Sequence, residues 1–172
     1  NWTPIPNTLR AVESAWSPDG ETIVFSRYGD GTHNLWAIHP DGSNSRKLTN
    51  FDDGTQIQGV SWVPDGSGVL LSMFHAHQQD LWFFQMSDSK LYRLTQTEFT
   101  ETDPVVGPNG LAWFSSELDG VFNVYTLNPA TGEVRRKTKL LGGAYGVDPA
   151  PGGHMFYTGF TGHGFRIHGV PS

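Results

Sequence analysis

Ala15-Trp16-Ser17-Pro18-Asp19-Gly20 decides the fold, because the stretch returns three times along the chain. Val63-Pro64-Asp65-Gly66 repeats it, Gly107-Pro108-Asn109-Gly110 repeats it again, and Ala150-Pro151-Gly152-Gly153 is a worn copy. The four prolines lie 46, 44 and 43 residues apart, and self-similarity at that period marks an array of equivalent supersecondary units. The tetrapeptide is a turn with a mechanism. Proline presets φ for the first corner, Asp or Asn bonds its own backbone, and glycine supplies the positive φ that closes the bend. Each copy therefore predicts a tight reversal between two strands. The runs that follow it are β-branched and aromatic: Thr22-Ile23-Val24-Phe25, Gly68-Val69-Leu70-Leu71, Leu111-Ala112-Trp113-Phe114 and His154-Met155-Phe156-Tyr157.

Working outward from the turn, the first complete unit reads as strands over 12–16, 22–27, 33–39 and 45–49, with Tyr28-Gly29-Asp30-Gly31 and Pro40-Asp41-Gly42-Ser43 between them. Leu35 and Ala37 alternate with Trp36 and Ile38, so apolar groups fall on both faces, as suits a strand sandwiched between neighbouring sheets. The second unit predicts strands over 58–62, 68–74, 79–86 and 91–95. The third predicts 103–106, 111–115, 121–127 and 133–138. The fourth predicts 146–149, 154–159 and 164–169 and stops before a fourth strand. No stretch carries helical apolar spacing with caps, so helix should be scarce.

Composition bounds the function. With 13% aromatic residues and six Trp, 172 residues can bury a real core. Charged residues are 16%, the net charge is -6 and the pI is about 5.5, so there is no basic footprint for nucleic acid or an anionic membrane surface. Absence of cysteine removes disulfides, thiolate nucleophiles and Cys-ligated metals together. No apolar run has the length to span a bilayer, so direct membrane insertion is not expected.

Four short antiparallel strands per unit of about 43 residues, in tandem, predict an all-β fold: a β-propeller of four-stranded blades, four repeats visible and the last incomplete. The units fall at 1–10 (partial), 11–50, 51–96, 97–139 and 140–172, in a single propeller domain or propeller segment. Here the sequence resembles a known family. Ser-Pro-Asp-Gly, an aliphatic-Phe-Ser strand, Asn34-Leu35-Trp36, Asp41-Gly42-Ser43-Asn44 and Arg46-Lys47-Leu48-Thr49 resemble the TolB-type (WD40-like) propeller repeat. The second unit keeps Asp80-Leu81-Trp82 and Tyr92-Arg93-Leu94-Thr95. The third keeps Asn123-Val124-Tyr125 and ends Arg135-Arg136-Lys137-Thr138, with Lys137 where the family has leucine. The fourth departs most, with Gly152 for the aspartate and Phe165 for the Asp or Asn. Asp19, Asp65 and Asn109 are expected to lock turns, Asn34, Asp80 and Asn123 to bond backbone at strand entries, and Trp36, Trp82 and Tyr125 to pack between blades.

Residues that break the period are the candidates for chemistry. Turns between second and third strands emerge on the same face as the connectors that enter each first strand. That face collects His33, His75, His77 and His163 from the former and Asp52, Asp53, Glu101 and Asp103 from the latter. His75 and His77 are two apart and would point the same way if the strand continues through them; with a nearby carboxylate they would suit a divalent metal. Some metal-dependent pectate-fragment lyases resemble this propeller type and hold their metal with loop histidines. No cofactor other than such an ion is expected. Glu101 and Asp103 form a carboxylate pair on one expected strand. No nucleophile elbow, phosphate loop or dinucleotide fingerprint is present, and nothing assigns a catalytic residue.

Thr3 precedes Pro18 by 15 residues, as Thr49 precedes Pro64, so the opening residues are in the register of a last strand. Two outcomes follow. Either residues 1–5 complete the fourth unit and close a compact ring, or the chain is a segment of a longer parent that supplies the remaining blades or domains; a start without an initiator Met or signal peptide fits a trimmed piece. The family resemblance implies a non-catalytic binding module that recognises a protein or cell-envelope partner through its loop face, in the periplasm or secreted. The alternative is the propeller portion of a prolyl-oligopeptidase-like hydrolase or a metal-dependent oligosaccharide lyase.

Overall fold

The structure is a computed structural model and describes residues 3–171. Its elements are strands throughout the described residues, in four separate antiparallel sheets. The first sheet is β1 (Ala11–Trp16), β2 (Ile23–Gly29), β3 (Thr32–Ile38) and β4 (Arg46–Lys47). The second is β5 (Gln56–Trp62), β6 (Gly68–His75), β7 (Gln78–Gln85) and β8 (Leu91–Arg93). The third is β9 (Glu101–Val106), β10 (Ala112–Ser116), β11 (Asn123–Leu127) and β12 (Val134–Arg136), and the fourth is β13 (Ala144–Ala150), β14 (His154–Thr161) and β15 (Gly164–Pro171). In each the spatial order is the chain order, the up-and-down meander of a propeller blade.

The recurring bend turns each first strand into the second. Gly20, Gly66 and Gly110 share φ 74°, and the backbone N–H of each bonds back three residues, to Ser17, Val63 and Gly107. Asp19 accepts from the Glu21 amide and the Ser17 hydroxyl, and Asp65 accepts from the Ser67 amide. Those local donors hold the carboxyl of Asp19 below its ordinary value, the Ser17 hydroxyl contributing most.

Blades stack face to face through apolar layers, with β1, β5, β9 and β13 as consecutive inner strands. Val24, Leu35 and Ala37 of the first sheet meet Ile57, Leu71, Met73 and Phe84 of the second; Leu70 and Leu81 meet Ala112, Phe114 and Tyr125; Trp113 and Val124 meet Val147, Met155 and Tyr157. Both faces of the middle sheets are thus buried, which is why their strands read as continuous apolar runs rather than alternating ones. Fourth strands are shorter than the sequence suggests, two residues in β4 against an expected five, because the edge pairs on one side only.

The last sheet has three strands among the described residues. Asn1 and Trp2, part of the expected closing strand, lie outside the described residues. Thr3, Pro4 and Ile5 form no strand; Ile5 packs on Ile23, Phe25 and Ile38 of the first sheet, and Pro6 lies against Gly42, where a Cβ would stand 2.7 Å from its ring. Among the described residues the fourth sheet packs on the third and makes no extensive strand contact with the first.

Candidate functional site

The face at which β2–β3-type turns and inter-blade connectors emerge is built on one repeated lock. Asn34, at the entry of β3, accepts from the Thr49 hydroxyl at 3.1 Å and the Phe51 amide at 2.7 Å, while the Thr49 hydroxyl accepts from the Leu35 amide at 2.9 Å. Asn123, Thr138 and the amides of Leu140 and Val124 repeat it, each contact at 2.9 Å. The strand-entry amide side chain therefore ties the third strand to the connector that leads into the next blade.

In the second sheet the lock is ionic. Asp80 replaces the amide, is buried, pairs with Arg93 and accepts from the Thr97 amide at 3.2 Å. Thr95 still accepts from the Leu81 amide but donates to Glu101 at 2.9 Å, and Thr97 donates to the other Glu101 oxygen. Glu101 is fully buried. Burial pushes its carboxyl up to about 7, the Thr97 and Thr95 hydroxyls pull the other way, and the nearby Asp80 adds to the rise.

Glu101 and Asp103 are accordingly not a pair. Thr102 stands opposite Ser115 and Val105 opposite Trp113, so two residues, Asp103 and Pro104, bulge against Phe114. The bulge puts Asp103 at φ 52°, on the surface, where it accepts from the Gly146 amide at 3.1 Å. Period-two reasoning failed here because every first strand carries such a break, as the register shifts at Ala11/Ser14, Ile57/Gly59 and Tyr145/Asp148 show.

The histidine pair separates as well. The strand ends at His75, which faces Gln78, and Ala76 and His77 are the two central residues of the turn, at φ 50° and 68°. His77 is exposed, whereas the His75 ring sits 2.9 Å from the Thr55 hydroxyl, 3.4 Å from Asp53 and edge-on to Trp82. Asp53 is held below its ordinary value, first by the Thr55 hydroxyl and further by His75. His33 lies one blade away, with Nδ1 3.0 Å from the Ser26 hydroxyl and 3.1 Å from the Ile57 carbonyl. Thr55 links the two, since its carbonyl accepts from the His33 amide at 2.7 Å. His163 stands exposed in the β14–β15 turn, apart from the others. Among the described residues no group of three or more His, Cys, Asp or Glu is placed to hold a metal ion.

A cleft of about 710 Å3 lies on this face beside the first sheet, and sequence reasoning missed it. Arg10, Arg27 and Lys47 bring positive charge to it and Asp30 and Asp52 negative charge, Trp36, Tyr28 and Phe51 bring aromatic surface, and the Arg27 guanidinium lies 4.9 Å over the Trp36 ring. Trp36 was legible as an aromatic of the third strand, but its partners come from three separate segments, near residues 10, 28 and 50, and no local pattern joins them.

No protein-family model matches the chain, and no curated protein matches it. Solved structures do. The chain is similar to a TolB from Agrobacterium tumefaciens at TM-score 0.80 and 19% identity over 92% of this chain and 60% of that one, and to TolB from Acinetobacter baumannii at 0.81 and 17%, over 94% and 41%. A puromycin hydrolase matches at 0.76 and 15%, over 92% of this chain and 26% of that one. The fold is therefore a TolB-type β-propeller array, and the chain spans less than two thirds of each of these proteins.

Proposed function

We propose that this chain is a non-catalytic β-propeller module that recognises a protein or cell-envelope partner through its loop face, in the periplasm or outside the cell, with further blades supplied by a longer parent. The cleft carries the proposal. A chain of net charge -6 gathers Arg10, Arg27 and Lys47 beside Asp30 and Asp52 around an aromatic floor, a surface of both signs with one cation in excess that suits a polar segment carrying a carboxylate. Other ionisable groups on this face are engaged within a sheet or with the connectors between sheets: Asp80 with Arg93, Glu101 with Thr95 and Thr97, His75 with Asp53 and Thr55. His33, Asp103, His77 and His163 would form the rim of the contact surface.

The test is quantitative capture from a cell-envelope extract by the wild type and by the double variant R27E/K47E. The proposal expects a specific protein retained by the wild type, released by moderate salt and lost with the variant. Identical retention by both would remove it. The likeness to a puromycin hydrolase supports a second reading, the propeller portion of a hydrolase; the metal-dependent lyase alternative on His75 and His77 finds no support, because the two residues separate at the turn. Labelling of the full parent chain by a fluorophosphonate probe would favour the hydrolase.

A further inference from the structure

Equivalent positions in the repeat expose one blade interface that is built differently from its neighbours. The last residue of each first strand is Trp16, Trp62, Val106 and Ala150 in turn. Between the first and second sheets Trp62 lies in the seam, packed with Met86 against the apolar layer, and its indole N–H donates to the Ala15 carbonyl at 3.2 Å. Between the third and fourth sheets the plug comes from the other side: Trp113 of β10 is 2% exposed and packs on Met155. The spaces left at the turn ends of those two seams are about 190 and 110 Å3.

The middle seam has no indole. Val106 stands where Trp62 stood, Pro129 where Met86 stood and Ala112 where Val69 stood, so volume is lost at three facing positions. Phe83 and Tyr92 on the second sheet only partly refill it. What remains is a cavity of about 410 Å3, larger than the other two together, walled by Leu70, Phe83, Leu94, Val106 and Ala112 with the half-exposed Tyr92 at its mouth. None of its lining residues carries a charge. The space opens to solvent past Tyr92, and its apolar walls gain from an apolar guest that removes them from water. Its volume falls within the range of small-molecule sites, roughly 300–1,000 Å3.

We propose that the seam between the second and third blades is a binding site for a neutral, planar aromatic group of indole size, which occupies the space that Trp62 and Trp113 fill in the flanking seams. A carboxylate or ammonium on the ring would have to be buried against carbon and is excluded. The site opens beside the Val63–Gly66 and Gly107–Gly110 turns, at the opposite end of the blades from the cleft beside the first sheet, and is independent of the partner proposed for that cleft.

Thermal unfolding and calorimetric titration of the intact chain with indole test it. The wild type should bind indole saturably at one site and melt several degrees higher in its presence. V106W should melt higher than the wild type without ligand and lose the indole response, and A112M, which fills the cavity from the other wall, should lose it too if V106W does not fold. N-acetyltryptophanamide distinguishes the source of the ring: binding at least as tight as indole assigns the site to a tryptophan on a partner, and binding of indole alone assigns it to a free small molecule. Absence of saturable indole binding to the wild type, or binding unchanged in a folded V106W or A112M, overturns the proposal.

Discussion

Replacing Glu101 by glutamine should change how stability depends on pH, and the size follows from the site. The carboxyl titrates near 4.5 in the unfolded chain and at about 7 in the fold, where it is buried beside Asp80. Between those values the native protein holds a proton that the unfolded chain has released. Stability from this group is therefore full below about pH 4.5, falls as pH rises toward 7, and stays low above it. At 1.36 kcal/mol per pKa unit the loss approaches about 3 kcal/mol. The glutamine amide never ionises. It can accept from one of the two threonine hydroxyls and donate toward the Asp80 carboxylate, leaving one hydroxyl unpaired at a cost of about 1 kcal/mol. E101Q should therefore be slightly less stable than the wild type at pH 5 and about 2 kcal/mol more stable at pH 8, which for a domain of this size is roughly 4–8 °C in Tm. The quantity to read is the difference between the two proteins at each pH, by calorimetry or urea unfolding. A difference that stays constant from pH 5 to pH 8 would show that Glu101 ionises normally, and would refute a buried, proton-holding carboxyl.

Removing one partner of the neighbouring ion pair should cost more: R93M leaves the Asp80 carboxylate buried without its cation, and urea unfolding should show a loss of about 3–5 kcal/mol. W62A deletes the indole from the first seam together with its bond to Ala15, and should cost about 3–5 kcal/mol. Gly110→Ala meets no atom within 4 Å, so its penalty is purely the positive φ, about 1–2 kcal/mol, and a neutral result in denaturant titration would mean the turn is of another type. Zinc added at neutral pH should leave Tm unchanged, since His75 and His77 do not converge; a rise abolished by H75A/H77A would restore a histidine metal site.

Much of this architecture was legible because the repeat states it four times. Proline-centred bends sit 43 to 46 residues apart, and the glycines of the first three take one φ, so the corners could be placed before any contact was known. The threonine locks were legible too, though only in part. Asn34 to Thr49, Asp80 to Thr95 and Asn123 to Thr138 keep a constant spacing of 15 residues, a signal that could have paired them. Features of the face resisted reading for physical reasons. A bulge is a local trade of one residue that composition does not mark, and it sent Glu101 inward and Asp103 outward. A two-residue turn at Ala76-His77 looks, in sequence, like the continuation of its strand. The cleft beside the first sheet and the unfilled seam arise where separate segments meet, and only packing reveals them.

Nuclear Overhauser contacts in the isotope-labelled chain test most directly whether the recurring bends mark the corners of separate blades stacked face to face. The account predicts contacts from the Trp62 indole N–H to Ala15 and from Ser26 to Ile57, with no hydrogen-bonded ladder joining β4 to β5. Regular ladder contacts running from β4 into β5, or from β8 into β9, would show one continuous sheet and contradict it.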